Sequence, residues 1–172
     1  MHGKADHFFE EIEQKQVALE EVSPWIWEWV TEGKSLERWH PRLRFHKTYP
    51  LVYPAYSKRN FYWQMHISQF CLNNKRIPLN PFMLFRYFLG DTVSREKIYI
   101  ANNNIVRLCK EVWSFGEISD GVLAEVKIKK DLGQQVSYYK IAQSNPVLFR
   151  KIRPQSVDFE DSALEQFSNI LI

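Results

Sequence analysis

One carboxylate in the second half of the chain has a setting that suits covalent chemistry. Glu125 follows a short apolar strand, Glu111–Phe115, and a Ser-Asp-Gly turn at residues 119–121. On a helix that begins at Asp120, the spacing predicts an apolar stripe of Gly121, Glu125, Ile128 and Leu132. A partly desolvated carboxylate there could act as a nucleophile or stabilise a cationic sugar. The alternative is a structural glutamate that caps amides or pairs with an arginine.

Two loops supply candidate groups for holding a ligand. In the turn, Ser119 and Gly121 stand at the predicted helix start, where a hydroxyl and free amides can bind a phosphate or a hydroxyl. The same residues also suit an ordinary N-cap and close packing of the helix on the sheet, and the two interpretations can coexist. The loop after the first predicted strand carries a hydroxyl and two cations, in Ser57, Lys58 and Arg59. A parallel sheet would bind an anion at that point.

Composition excludes several classes of protein. The chain has 172 residues, 45% of them apolar and 15% aromatic, which is typical of one globular domain. Neither Cys71 and Cys109 nor the five histidines have metal-ligand spacing, so we expect no metal and no cofactor. A G-x-G-x-x-G motif and a P-loop are both absent, so a dinucleotide or nucleoside triphosphate motif is not supported.

Charge and hydropathy suggest the compartment and the kind of ligand. No stretch approaches 18 consecutive apolar residues, and acidic residues occupy the N-terminal region, so we expect a soluble, cytoplasmic protein without a membrane partner. Residues 49–142 carry 13 basic and 7 acidic side chains, a net charge of +6. This dispersed excess suits a small anionic ligand and is too weak for duplex nucleic acid.

Strand and helix patterns alternate along the middle of the chain. Strands are predicted at Tyr49–Ala55, Arg76–Leu79, Glu111–Phe115 and Gln135–Tyr139, with helices at Asn60–Asn74, 94–107 and Asp120–Asp131. This order predicts a single doubly wound α/β fold, Rossmann-like or flavodoxin-like, with a mainly parallel sheet of four to five strands. Ligands in such sheets bind at the carboxyl ends of the strands.

Three segments are expected along the chain. Residues 49–142 form the α/β core, and residues 143–172 add an edge strand (Val147–Ile152) and a terminal helix (Ser162–Ile170). Residues 1–48 form a helical extension with predicted helices over 5–21 and Pro24–Thr31. The second of these carries three tryptophans, which would cover the sheet, form a homodimer contact or bind another partner.

Together these features resemble the nucleoside 2-deoxyribosyltransferase-like superfamily, which includes 2'-deoxynucleoside 5'-phosphate N-hydrolases and uncharacterised relatives. The resemblance runs from about Tyr49 to Tyr139 and is strongest in W-S-F-G-E-I-S-D-G-V-L-A-E, residues 113–125. It implies that Glu125 is the catalytic nucleophile that attacks the anomeric carbon of the sugar. It also implies that Glu111, where the family usually has Asp, helps to protonate or hold the leaving base.

The resemblance further implies which residues hold the substrate. Tyr53, Ser57 and Arg59 match a Tyr-x-x-x-Ser-x-Arg spacing of the 5'-phosphate hydrolases, and Ser119 matches their phosphate-contacting serine. Tyr56 stands where the family usually has glycine, and its ring would narrow or block the phosphate pocket. The implied function is cleavage or transfer at the N-glycosidic bond of a (deoxy)nucleoside or its 5'-monophosphate, in a homo-oligomer.

Two other functions are compatible with the same sequence. One is a non-catalytic domain that binds or senses a nucleotide and keeps the fold and the pocket. The other is a partner-binding protein that acts through its N-terminal aromatic helices. Fold resemblance alone does not separate these functions from an enzyme.

Overall fold

The computed structural model describes residues 47–142 and 146–172, without the side chains of residues 86–91. The helices predicted over 5–21 and 24–31 lie outside this range, as does all of the predicted extension except residues 47 and 48. From Tyr49 onward the chain forms one compact unit. In the described ranges, none of the helices combines the length and the apolar composition that a membrane crossing requires.

The described part of the chain contains five strands and four α-helices. The strands are β1 (Leu51–Tyr56), β2 (Ile77–Pro78), β3 (Glu111–Phe115), β4 (Gln135–Ala142) and β5 (Leu148–Ile152). The α-helices are α1 (Gln64–Asn73), α2 (Pro81–Thr92), α3 (Arg95–Leu108) and α4 (Asp120–Asp131). Short 3-10 helices occupy Lys58–Trp63, Pro154–Ser156 and Ser162–Leu171. The last of these corresponds to the predicted terminal helix, Ser162–Ile170.

The strands form a single sheet in the order β2-β1-β3-β4-β5. The first four strands are parallel, and β5 runs antiparallel to β4. The α/β fold with a mainly parallel sheet is thereby confirmed. From β1 the chain continues to β2 on one side of the sheet, and from β3 it continues to β4 on the other side. The carboxyl ends of β1 and β3 therefore flank the point where ligands bind in such sheets.

Helices cover both faces of this sheet. On one face, Val52 and Trp113 pack with Ile67 of α1. On the other face, Ala55 packs in a cluster with Val106 of α3 and with α4. Successive strand residues point to opposite faces, so each of the two central strands contributes to both clusters. This two-sided burial explains why β1 and β3 read as nearly continuous apolar runs.

The buried face of α1 overlaps only in part with the one that an α-helical pattern from residue 60 predicts. That pattern places Phe61, Met65, Ser68 and Leu72 on one face. The structure buries Ile67, Ser68 and Cys71, and leaves Met65 and Leu72 more than half exposed. Phe61 lies in a 3-10 helix, Lys58–Trp63, with about three residues per turn, so its phase does not continue into α1. Within α1, the observed buried set shares only Ser68 with the pattern.

The predicted stripe of α4 is also displaced. The structure buries Val122, Leu123, Val126 and Lys129, while Gly121 and Leu132 are exposed. The three aliphatic side chains lie against the sheet because their burial stabilises the fold more than the predicted set would. Glu125 is consequently half-buried at the border between the core and a cavity.

Candidate active site

A cavity of about 500 Å³ opens beside the carboxyl ends of β1 and β3. Its described walls come from the loop after β1, the starts of α2, α3 and α4, and Glu160 from the C-terminal segment. The position agrees with the expectation for a parallel sheet. The volume is within the range of about 300–1,000 Å³ found for small-molecule sites.

Glu125 lines this cavity and accepts two hydrogen bonds on the same oxygen. The Tyr53 hydroxyl lies 2.5 Å from Glu125 Oε1, and Asn102 Nδ2 donates to the same atom at 2.8 Å. The third side of the triangle is a 2.9 Å contact between Tyr53 Oη and Asn102 Oδ1. Tyr53 is fully buried on β1 and Asn102 projects from α3, so the sheet and two helices fix the carboxyl group.

The protons available to this triangle bear on the charge of Glu125. Tyr53 has one hydroxyl proton, which it can donate to Glu125 Oε1 or to Asn102 Oδ1, but not to both. When Glu125 is ionised, the Tyr53 proton points to the carboxylate. Asn102 Oδ1 then faces Tyr53 Oη with no proton between the two oxygens. When Glu125 is protonated, its own proton can bridge to Tyr53, which then donates to Asn102.

Burial raises the pKa of Glu125 to about 7, and the hydrogen bonds from Tyr53 and Asn102 lower it by less. Burial also raises the pKa of Tyr53 well above its usual value, helped by the neighbouring carboxylate. Tyr53 is therefore a neutral donor. Glu125 changes between its neutral and ionised forms close to neutral pH, which suits a group that takes part in proton or glycosyl transfer.

Two serines at the cavity are helix caps. Ser57 Oγ accepts a hydrogen bond from Arg59 N at 3.1 Å, and Ser119 Oγ accepts one from Val122 N at 3.3 Å. The capping interpretation is thus confirmed for Ser119, and the cap by Ser57 was not predicted. Each oxygen still has a proton to donate, and both residues line the cavity. The predicted ligand role of Ser57 and Ser119 stays compatible with their caps.

The sequence suggested that Gly121 lets α4 pack closely against the sheet, but the structure shows no such close approach. A Cβ added there would meet nothing nearer than Ser119 Oγ at 4.0 Å. The residue is exposed and lines the cavity instead. Its N–H donates to Asp120 Oδ1 at 2.7 Å, so the open space above the first turn of α4 is not matched by a free amide at this residue.

Tyr56 forms a wall of the cavity and leaves it open. Its hydroxyl donates to Asn80 Oδ1 at 2.8 Å, and its ring lies 4.9 Å from that of Phe82. Asn80 also accepts from the backbone N of Phe82 at 3.2 Å, which fixes the start of α2. These contacts hold the ring against α2. The expected blockage by the residue that replaces glycine is not observed.

Besides the fully buried Tyr53, two residues that the resemblance assigned to the site lie outside the cavity lining. Glu111 is at the amino end of β3, where it accepts hydrogen bonds from Arg76 Nε and, at 2.7 Å, from Trp113 Nε1. Four residues of strand, roughly 13 Å, separate it from the carboxyl end where Glu125 lies. Glu111 thus lies at the other end of β3 from Glu125, and its role in protonating or holding the leaving base stays a prediction.

Arg59 is the second residue outside the lining. Its side chain is 68% exposed and lies 3.9 Å from Glu117 and 3.8 Å from Glu160. The guanidinium thus faces two carboxylates at the rim of the cavity. The cations of the described lining are Lys58 and Arg95, of which only Lys58 had been considered from the sequence.

Sequence reasoning missed Asn102 and Glu160. The signal for Asn102 was the run Asn102-Asn103-Asn104 inside a helix, because asparagine is a poor helix former and needs a reason to be there. Glu160 carried no local signal. The aromatic walls, formed by Phe82, Phe85 and Tyr99 beside Tyr56, follow from the ring-rich segment after Asn80 and from α3.

Comparisons with known proteins give a family and one distant structural likeness. Residues 52–139 match the model of a family described as a domain of unknown function (DUF7768). None of the curated proteins matches the chain. Among solved structures, the chain is similar to a 2-desoxiribosyltransferase from Leishmania mexicana, with 14% sequence identity and a TM-score of 0.42. That likeness covers 53% of this chain and 64% of the other, less than two thirds of its length.

Proposed function

We propose that this chain, which belongs to the family described as a domain of unknown function (DUF7768), cleaves the N-glycosidic bond of a (deoxy)nucleoside or transfers its sugar to another base. The observation that carries the proposal is the setting of Glu125. Its half-buried carboxyl group, with a pKa raised to about 7 by burial, is fixed by Tyr53 and Asn102 at the wall of an open cavity. The sequence resemblance assigned the nucleophile to this same residue.

The chemistry proceeds by double displacement. A carboxylate oxygen of Glu125 attacks the anomeric carbon, and the bond between that carbon and the base nitrogen breaks. The bonding electron pair leaves with the base, which takes up a proton. A water molecule or a second base then attacks the same carbon, the ester bond breaks, and its electron pair returns to Glu125. Loss of one proton from the attacking molecule completes the cycle.

Tyr53 and Asn102 act on this reaction through Glu125. Their donors stabilise the ionised carboxylate that attacks, while burial keeps it weakly solvated and therefore nucleophilic. Ser57 and Ser119 offer hydroxyl protons to the sugar, and the rings of Tyr56 and Phe82 offer a surface on which a base can stack. Tyr53 is in this proposal a positioning residue and not a substrate-binding one.

The test compares three proteins for release of free base from 2'-deoxynucleosides. Wild type should release base, at a rate that rises with pH through about 7 as Glu125 ionises. Glu125→Gln should lose the activity by about a thousandfold or more, because an amide cannot form the glycosyl ester. Asp131→Asn, an exposed carboxylate on the same helix, is the matched control and should keep wild-type activity.

Intact-mass spectrometry adds a direct readout of the covalent step. Wild type mixed with a deoxynucleoside that carries fluorine at the sugar 2' position, which slows hydrolysis of the glycosyl ester, should gain the mass of the fluorinated sugar, and Glu125→Gln should not. Base release that persists in Glu125→Gln would contradict the assignment of the nucleophile. If wild type cleaves none of the deoxynucleosides and none of them raises its melting temperature, a nucleoside-directed function is wrong.

A second candidate is a non-catalytic nucleoside-binding domain. The observation that favours it is the distance of Glu111 from the cavity, which removes the residue expected to help the leaving base. A protein of this kind would show a raised melting temperature with nucleoside and no base release in wild type. The same two measurements therefore separate the candidates.

A further inference from the structure

We infer that Glu160 makes this site select a nucleoside with a free sugar hydroxyl over the corresponding 5'-monophosphate. The inference rests on the proposed function and names the substrate class of that site. The resemblance had pointed to a phosphate-binding corner formed by Ser57, Arg59 and Ser119. The structure places a carboxylate at this corner.

The C-terminal segment delivers Glu160 to the cavity. Ile118 and Phe159 form a parallel bridge, in which Ile118 N donates to Asp158 O at 2.9 Å and Glu160 N donates to Ile118 O at 3.0 Å. Ile118 directly precedes the cap residue Ser119. The backbone of Glu160 is thereby fixed beside the start of α4, and its side chain lines the cavity.

One oxygen of Glu160 lacks a hydrogen-bond donor within the described part of the chain. Its Oε1 atom is buried and accepts no hydrogen bond, and the Arg59 guanidinium approaches it only to 3.8 Å. A buried carboxylate oxygen without a donor leaves its negative charge poorly compensated, which disfavours a second anion beside it. The part of the carboxylate that reaches the cavity can accept a hydrogen bond from a ligand hydroxyl, whereas a phosphate that has lost its protons has none to donate.

The charges around the corner also disfavour a phosphate. Arg59 lies between the carboxylates of Glu117 and Glu160, at 3.9 and 3.8 Å. Lys58 and Asp120 line the cavity next to the two capping serines. Two cations thus stand beside three carboxylates, which leaves no excess positive charge for a dianion. Arg95 lies at the start of α3 and is the remaining cation of the described lining.

The experiment measures dissociation constants of a 2'-deoxynucleoside and its 5'-monophosphate by titration calorimetry. Wild type should bind the nucleoside at least about tenfold more tightly, since a phosphate meets Glu160 without a donor. Glu160→Gln keeps the backbone bridge and removes the charge, so the preference should shift towards the monophosphate by about tenfold or more. Asp131→Asn, which removes an exposed carboxylate outside the cavity lining, is the matched control and should keep the preference for nucleoside.

A 5'-deoxy analogue of the nucleoside identifies the donor. If the sugar hydroxyl binds Glu160, this analogue should lose affinity for wild type and lose much less for Glu160→Gln. Loss of the same size in both proteins would overturn the inference, as would tighter binding of the monophosphate by wild type or an unchanged preference in Glu160→Gln. Base release that depends on Glu125 combined with an unchanged preference would contradict only the role of Glu160. A lack of binding by all three ligands would contradict the proposed function as well.

Discussion

At the scale of single residues, the site depends on the competition between two effects on Glu125. Burial favours its neutral form, and the hydrogen bonds from Tyr53 and Asn102 favour its ionised form. Burial dominates, which raises the pKa to about 7. A carboxyl group with this pKa is ionised in about half of the molecules at neutral pH.

Removal of the Tyr53 hydroxyl should raise the pKa of Glu125 further. In Tyr53→Phe the ionised carboxylate loses a donor at 2.5 Å, and charge-assisted hydrogen bonds of this kind are the stronger ones. The midpoint of the carboxyl titration, followed by carbon NMR of labelled glutamate, should therefore move to a pH above about 7. If base release is observed, its pH profile should shift in the same direction.

Tyr56→Phe is the matched control for this prediction. The Tyr56 hydroxyl donates to Asn80 and not to Glu125, so the variant loses a buried hydrogen bond of the same type at another place. It should unfold at a lower denaturant concentration, with a loss of about 1 kcal/mol, and leave the Glu125 titration in place. An equal shift in both variants would show that the Tyr53 hydrogen bond does not control the carboxyl group.

At the scale of elements, a buried lysine holds α3 and α4 together. Lys129 is fully buried, and its Nζ donates to Val106 O at 2.8 Å, to Cys109 O and to Gln134 Oε1 at 2.5 Å. Burial lowers the pKa of Lys129. The three acceptors receive the three protons of its ammonium group. Two of the acceptors are carbonyls at the C-terminal end of α3. Lys129 therefore caps the neighbouring helix.

Replacement of Lys129 should destabilise the protein far more than replacement of an exposed lysine on the same helix. Lys129→Met leaves two buried carbonyls without a donor, and we expect a loss of roughly 2–4 kcal/mol in the free energy of unfolding. Lys127 pairs with Asp131 at the surface, so Lys127→Met should change it by about 0.5 kcal/mol or less. Urea unfolding measures both. Equal losses would mean that the carbonyls find other partners in Lys129→Met.

The predictability of an element followed the strength of its local signals. The bounds of β3 and α4 agree with the prediction because glycines with positive φ, Gly116 (+77°) and Gly133 (+65°), stand just after them, and Ser119 caps α4. A Cβ at Gly116 would lie 2.5 Å from Asn60 Nδ2, which makes the position dependent on glycine. The phase of α1 could not be predicted, since no residue type announces the change from 3-10 to α-helical winding at Gln64.

At the scale of the whole molecule, the alternation of strands and helices was sufficient to predict the sheet and the edge at which the cavity lies. It was not sufficient for the residues that complete the cavity. Asn102 reaches Glu125 from 23 positions earlier in the chain, and Glu160 reaches the cavity through a bridge to Ile118. Such contacts depend on how distant segments pack, which leaves no periodic trace in one sequence. The distance of Glu111 from the cavity was not predictable for the same reason, because the resemblance gave its position along β3 and not its surroundings.

The last prediction concerns the stability of the whole molecule as a function of pH. The native pKa of Glu125 is about 7, above the ordinary value of 4.5 that applies when the chain is unfolded. Between these values the native protein binds the extra proton, so this stabilisation is complete below about pH 4.5 and is lost as pH rises through about 7. Glu125→Gln lacks this dependence. Its free energy of unfolding relative to wild type should therefore increase between about pH 5 and pH 8, by at most roughly 3 kcal/mol, and then stay constant. Every other titrating group is common to the two proteins and cancels in the difference measured by urea unfolding. A difference that does not change over this range would mean that Glu125 is already ionised at acid pH, with enough stabilisation from Tyr53 and Asn102 to offset its burial.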